Sequence, residues 1–287
     1  MDLPFSPTMS DSYAVIGHPI AHSKSPLIHG LFAQATAQDM SYEAIDGGAD
    51  EGGFERALAA FRAAGGKGMN VTLPFKRRAL AAADEASEDA RLAGAANALR
   101  FDRGRTLARN FDGIGLVRDI EVNLGLALTG CRVLLLGAGG ATRGALLPLA
   151  RTGAARIVIA NRTPAKARDL ARELAPHLGD CAIDGGGFDE LAAQPPFDVV
   201  INATSASLSG EAPAVPASAF ASGALAYDMM YGKGLTPFLT LAQDAGGARL
   251  ADGVGMLVEQ AAEAFAWWRG VRPDTRAALD RLTVPLV

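Results

Sequence analysis

Gly137, Ala138, Gly139, Gly140 and Ala141 follow directly on the apolar run 133–136 and lead into Thr142-Arg143-Gly144. A glycine-rich turn between a strand and a helix lets backbone N–H groups approach a pyrophosphate, with the positive end of the helix aimed at it. The pattern departs from the strict G-x-G-x-x-G by one residue, because Thr142 takes the last glycine's place and Gly144 comes two later. A second cluster, Asn161-Arg162-Thr163 with Lys166, lies at the end of the next strand-like run. An NAD enzyme places an acidic residue there, about 20 positions on, for the ribose 2′-hydroxyl. A carboxylate would repel a 2′-phosphate, whereas Arg162 can pair with it and stack on adenine, with Thr163 adding a hydroxyl and Lys166 a second cation. The expected cofactor is therefore NADP(H). Without a ligand, the same residues read as a plain turn and solvated surface charges.

Three segments upstream carry unusual polar density: Ser23-Lys24-Ser25, the stretch Asn70-Val71-Thr72-Leu73-Pro74-Phe75-Lys76, and Asn110-Phe111-Asp112-Gly113. They supply hydroxyls, amides, a lysine and an aspartate at expected strand ends, where open α/β sheets bind ligands, and they suit a polyhydroxylated anion. Each also has a plainer reading. Lys76-Arg77-Arg78 would serve as a solvated start to a helix, Asp112 as a turn or cap residue, and Ser23 and Ser25 as caps.

Of the elements that must position these groups, residues 12–16 read as a strand, 25–38 as a helix and 42–45 as a strand. Residues 53–64 follow as a helix, 68–72 as a strand stopped by Pro74, and a further helix from about Arg77. Residues 98–101 and 105–107 flank the hairpin-like Asp102-Arg103-Gly104. Residues 113–122 read as a connecting helix into the strand 132–136. Helix 143–149, strand 156–160, helix 165–174 and strands 197–202 and 225–229 then continue a Rossmann-type pattern. A last helix, 256–269, carries Leu257, Ala261, Phe265 and Trp268 at helical spacing and is expected to pack back on the first half.

The expectation is an α/β protein with a substrate domain at 1–112, completed by 253–287, and an NADP-binding Rossmann domain at 113–252. With 287 residues, 49% of them hydrophobic, the chain can build both cores. A net charge of −4 argues against nucleic acid as a partner. No apolar run reaches the roughly 18 residues of a membrane span. Residues 1–11 read as a loose tail, not a signal peptide, so a cytoplasmic location is expected. Cys131 and Cys181 have no CxxC or zinc spacing and read as buried thiols, and His22 and His29 lack the acids or cysteines a metal would need.

Six motifs in order resemble the shikimate dehydrogenase family: residues 17–26 (GHPIAHSKSP), 70–76, 137–144, Asn161-Arg162-Thr163, Asn202-Ala203-Thr204-Ser205 and 251–256 (ADGVGM). The resemblance runs from about Tyr13 to Pro273. It implies reversible reduction of 3-dehydroshikimate to shikimate with NADPH, on the route to chorismate and the aromatic amino acids. It also implies a monomer or homodimer acting on a small molecule. Carried over, Lys76 and Asp112 form the catalytic pair. Ser23, Ser25, Thr72, Asn97, Tyr231 and Gln260 match positions that hold the substrate's carboxylate and hydroxyls. Met229 and Gly253 match backbone positions near the nicotinamide, Thr204 belongs to a cofactor motif, and Glu88 matches a further cofactor-associated carboxylate.

The residues alone allow the same chemistry. Oxidising an alcohol by hydride transfer needs a group that takes the hydroxyl proton and returns it in reverse. None of His18, His22, His29 and His177 is clearly placed for that role. Lys76, partly desolvated beside Asp112, could exchange the proton itself or hold the alcohol while a water does so. An ion pair and a neutral amine are the two extremes. Three positions depart from the family pattern: His18 stands for an asparagine, Arg109 for an aspartate and Phe111 for a threonine. An aromatic ring beside Asp112 motivates the alternative of a broader shikimate/quinate dehydrogenase, or one using NAD. A non-catalytic dinucleotide-binding sensor is the more distant reading, opposed by intact Lys76 and Asp112.

Overall fold

The computed structural model describes residues 10–286 apart from 205, 207–209, 233 and 247. The expected N-terminal tail lies outside these residues except for Ser10 and Asp11, and Asp11 already belongs to the first strand. Ser205 also lies outside them.

The first half runs β1 (Asp11–Gly17), α1 (Ser25–Ala35), β2 (Met40–Asp46), α2 (Gly53–Ala63), β3 (Gly68–Val71), α3 (Lys76–Ala81), β4 (Glu85–Ala86), α4 (Glu88–Ala93), β5 (Ala98–Asp102) and β6 (Arg105–Arg109). Its six-stranded sheet has the order β2-β1-β3-β5-β6-β4, parallel around β1 and antiparallel from β3 to β6. The β5–β6 hairpin turns through Arg103 and Gly104, both at positive φ (49° and 80°), as the Asp-Arg-Gly spacing led one to expect.

After α5 (Asp112–Arg118) the second half comprises β7 (Arg132–Leu136), α6 (Gly140–Arg151), β8 (Arg156–Ala160), α7 (Pro164–Leu174), β9 (Ala182–Gly186), β10 (Phe197–Asn202), β11 (Phe220–Asp228), α8 (Pro237–Asp244) and β12 (Arg249–Ala251). All neighbours in this sheet are parallel, in the order β12-β11-β10-β7-β8-β9. Counted within this half, that is 6-5-4-1-2-3, the doubly wound dinucleotide-binding order, with its crevice where the order reverses, between β7 and β10. Leu134, Leu135, Leu136, Ile157, Ile159, Val199 and Ile201 are all fully buried, because helices cover both faces of the sheet.

The chain then returns. α9 (Val254–Arg269) lays Val258, Ala261, Ala262 and Phe265 against Ile28 and Phe32 of α1, and α10 (Arg276–Leu282) closes the cluster with Ala278. Burying Ile28, Phe32, Val258 and Phe265 contributes about 1.5–3 kcal/mol each, so the return is a firm part of the first half.

Between the halves, α5 packs on both α6 and α9. A Cβ on Gly113 would stand 2.3 Å from the Gly144 carbonyl oxygen, so only a bare backbone permits this approach. Below it the helix loosens into a π-helical turn, Asp119–Asn123, whose Asp119 accepts from the buried Tyr227 hydroxyl at 2.7 Å. Burial pushes the Asp119 carboxyl above the usual range.

Two expectations need correction. The helix expected to run from about Arg77 is two short helices with β4 between them. Cys131 and Cys181 are free and only half-buried, each standing directly before a strand, β7 and β9, and burial still pushes both thiols up.

Candidate active site

Lys76 opens α3 and Asp112 opens α5, and the two helix starts face each other across the end of the first sheet. Lys76 Nζ donates to Asp112 Oδ2 at 2.7 Å, with the side chains 26% and 19% exposed. Asp112 is braced from behind: Asn97 Nδ2 donates to its Oδ1 at 2.8 Å, and its own N–H donates to Asn110 Oδ1 at 3.0 Å. Asn97 is itself locked. Its Nδ2 also donates to Gln260 Oε1 at 3.1 Å, and its Oδ1 accepts from the Phe111 N–H at 2.8 Å. With both amide hydrogens engaged, Asn97 here aims Asp112 and presents no spare donor.

Lys76, Asp112, Asn97 and Gln260 wall a cavity of roughly 360 Å³ that also takes in Ser23, Ser25, Thr72, Met229, Tyr231 and Gly253. Every side chain expected to hold substrate or do catalysis therefore reaches one space, shared between the first sheet's strand ends, the loop after β11 and the start of α9. Ser23 Oγ accepts from the Ser25 N–H at 3.3 Å, but Lys24 is the N-cap of α1 and no side chain caps that helix, so neither serine is the cap of the plainer reading, and both line the cavity. Gln260 is buried and not solvent-facing, and burial pushes the Tyr231 phenol up. His22, Lys24 and Asn70 line the cavity as well, although sequence reasoning gave them no role. They are interleaved in the same two motifs, which was the available signal.

The nucleotide crevice is built separately. Gly137 has φ +98°, and Thr142, in the place of the missing third glycine, is buried and donates its hydroxyl to the Gly137 carbonyl at 2.6 Å. The departure from the strict motif thus braces the turn from inside. Gly139, Gly140 and Ala141 are exposed, a Cβ on either glycine would meet nothing within 4 Å, and no side chain caps α6. The helix's first N–H groups face open space, which fits a pyrophosphate. Thr204 stands across the crevice, its Cγ2 3.0 Å from a Cβ built on Gly137, with its hydroxyl donated to Asn202 Oδ1 at 2.7 Å.

At the end of β8, Asn161 Nδ2 donates to the Thr163 carbonyl at 3.0 Å, while Arg162, Thr163 and Lys166 are exposed. Asn161 and Arg162 border a groove of roughly 690 Å³ with Phe188, Val215, Pro216 and Leu241. An apolar slot flanked by a guanidinium suits a purine carrying a phosphate. The donor set therefore fits NADP(H).

One expected cofactor residue is not brought there. Glu88 opens α4, where Glu88 and Asp89 pair with Arg151 at 2.7 and 2.9 Å. Arg151 ends α6, a 12-residue helix, so its backbone lies about 17 Å along the helix axis from the glycine turn. Glu88 joins the two halves of the molecule and does not face the cradle. The three departures from the family pattern also lie outside the cavity. The Phe111 ring, 3% exposed, turns away into a cluster with Ala98, Ala264 and Trp267. The Arg109 guanidinium sits 5.0 Å over Trp267, and His18 Nδ1 is 2.7 Å from Asp46 Oδ1. Hydrogen bonding to His18 and to the Gly48 N–H holds the Asp46 carboxyl below its usual range. Among the described residues, no group of three or more His, Cys, Asp or Glu is arranged to hold a metal ion, and no helix is long and apolar enough to cross a membrane.

Models of the shikimate dehydrogenase substrate binding domain, of shikimate/quinate 5-dehydrogenase and of the shikimate 5′-dehydrogenase C-terminal domain match residues 15–99, 120–210 and 253–283. The shikimate dehydrogenase (NADP(+)) of Nitrosospira multiformis is 56% identical over 274 residues, covering 96% of this chain and 98% of its own length. The chain belongs to the shikimate dehydrogenase family. Solved structures agree on the fold of this family member. An Ael1 enzyme from Pseudomonas putida is 61% identical with a TM-score of 0.90, over 97% of this chain and 100% of that one. Shikimate 5-dehydrogenase from Thermus thermophilus, in complex with NADP(H) and shikimate, is 31% identical with a TM-score of 0.81, over 94% of this chain and 97% of that one.

Proposed function

We propose that this protein catalyses the reversible reduction of 3-dehydroshikimate to shikimate with NADPH, and that residues 1–112 with 253–287 form its substrate domain and 113–252 its NADP domain. The observation that carries the reading is the Lys76–Asp112 ion pair, at 2.7 Å, inside the cavity walled by Ser23, Ser25, Thr72 and Gln260.

The reduced nicotinamide supplies the hydride, and the remaining work belongs to side chains. Lys76, paired as an ammonium and held by Asp112, donates a hydrogen bond to the ketone oxygen. It passes the proton on, directly or through a water, as negative charge develops there. In the oxidising direction it receives that proton back. Ser23, Ser25, Thr72, Tyr231 and Gln260 bind the carboxylate and ring hydroxyls, with Asn97 keeping Asp112 in line. Arg162, Thr163 and Lys166 hold the 2′-phosphate, and Gly137, Ala138, Gly139, Gly140, Ala141, Asn161 and Thr204 form the rest of the cofactor cradle. The backbone at Met229 and Gly253 borders the substrate cavity, the side from which the nicotinamide ring would meet the alcohol carbon. The turned-away Phe111 removes the reason for expecting a broadened substrate range.

The test is reduction of NADP or NAD with shikimate or quinate as donor. Shikimate with NADP should be the fastest pair, and Lys76→Ala should lower kcat by about 10²–10⁴. Absence of turnover with either alcohol defeats the reading, and an unimpaired Lys76→Ala defeats the catalytic assignment.

A further inference from the structure

Behind the cavity wall lies a buried polar cluster that none of the roles above uses. Tyr42 of β2 donates its hydroxyl to Asn70 Oδ1 at 2.7 Å, and His29 Nε2 meets the same oxygen at 3.0 Å. The two rings stack with centroids 4.2 Å apart and 6° between planes.

The orientation of the Asn70 amide follows from its other contact. Its Nδ2 lies 3.3 Å from the Asn97 carbonyl, which only accepts, so the nitrogen must face Asn97 and the oxygen must face Tyr42 and His29. His29 must then carry its hydrogen on Nε2. Burial pushes its pKa down to about 3, so the ring is neutral and Nδ1 is a bare lone pair, without a partner among the described residues. Burial likewise raises the Tyr42 phenol well above its ordinary range, so it stays a donor. Asn70 lines the cavity and Tyr42 does not. The Tyr42 hydroxyl therefore holds the Asn70 amide from behind the wall, without touching the cavity itself.

We propose that Tyr42 is a positioning residue of the substrate site, fixing the Asn70 amide so that it meets an oxygen atom of a polyhydroxylated carboxylate. This rests on the functional reading above for the identity of the ligand, shikimate. A role in positioning predicts a change in substrate affinity more than in the chemical step, because Lys76 and Asp112 keep their own braces.

The experiment is Tyr42→Phe, which keeps the ring against His29 and removes one oxygen. Shikimate binding is read by calorimetry, alongside steady-state kinetics and a thermal melt. The dissociation constant and KM for shikimate should rise about tenfold, kcat should stay within about threefold, and KM for NADP should not change. Asn70→Ala and the double variant complete a cycle: the effects should be non-additive, because both remove the Tyr42–Asn70 bond. Unchanged shikimate affinity, an additive cycle, or an equal loss in kcat and in affinity for both ligands overturns the proposal. Should Tyr42→Phe fail to fold, Asn70→Leu, which removes the amide that Tyr42 holds, must raise the shikimate dissociation constant at least as much; unaltered affinity overturns it equally. Wild type that binds shikimate without oxidising it sinks the functional reading alone, whereas wild type that turns over and a Tyr42→Phe that matches it sink this inference alone.

Discussion

On the substrate side of the cleft, Lys76, Asp112, Asn97 and Gln260 are already bonded to one another, and Asn70, Tyr42 and His29 are bonded behind them. On the nucleotide side, Arg162 and Lys166 stand exposed with no ion-pair partner among the described residues, and the first N–H groups of α6 have no side-chain cap. The first arrangement is preorganised, so little reordering opposes a small ligand that must be held to a fraction of an ångström. The second leaves charge unanswered, which suits a large anion that brings its own phosphates and must later be released. Specificity for the substrate should therefore depend on side chains acting through one another, and specificity for the cofactor on side chains acting singly.

The largest effect that could break this contrast lies at Arg162. Arg162→Asp removes the phosphate partner and adds a like charge, so kcat/KM with NADP should fall by about 10²-fold or more while that with NAD changes little. Equal losses with both cofactors would mean that Arg162 is not acting singly. Acid should find the substrate side next. His29 titrates near 6.5 when unfolded and at about 3 in the fold, so the unfolded chain takes up a proton that the native state refuses. Its contribution is complete above pH 6.5 and declines as pH falls toward about 3, at up to about 1.4 kcal/mol per pH unit. Denaturant unfolding at pH 7 and pH 5 should show wild type losing more stability than His29→Phe; parallel losses would place the acid sensitivity elsewhere. The smallest effect on activity belongs to Phe111→Thr. It should cost about 2–4 kcal/mol of stability, as a large buried ring is removed, yet leave KM for shikimate within about twofold. A marked change in substrate preference would show that the cavity wall depends on the Phe111 cluster.

The nucleotide side was largely legible in the residues. Strands 132–136, 156–160 and 197–202 have the bounds expected of them, because parallel strands buried on both faces are continuous apolar runs. The edge strands β9 and β12 and the helices α8 and α10 went unseen, since Ala182–Gly186 and Arg249–Ala251 are short and only partly apolar, and their conformation is set by the neighbours they join. On the substrate side, the motif residues converge on one cavity, but their order of importance was hidden. Nothing in the spacing of Tyr42, or in the apolar company of His29, announces a hydrogen-bond hub, because burial and the meeting of β2, β3 and α1 create it. Glu88 failed for the opposite reason. A matching position carried a role with it, while in the fold Arg151 claims the carboxylate.

The bare contact between Gly113 and Gly144 has a further consequence. Asp112 is the neighbour of one glycine, and the other lies in the helix that begins at the nucleotide turn, so the two reactants are referenced to a common datum, peptide against peptide. Side chains in an interface can compress or change rotamer, but two backbones in contact cannot. Such a stop sets the working gap of the cleft in the way a shim sets a bearing, and a single methyl inserted there would be felt at the reacting carbons, where about 1 Å of misplacement can cost about 10²-fold in rate.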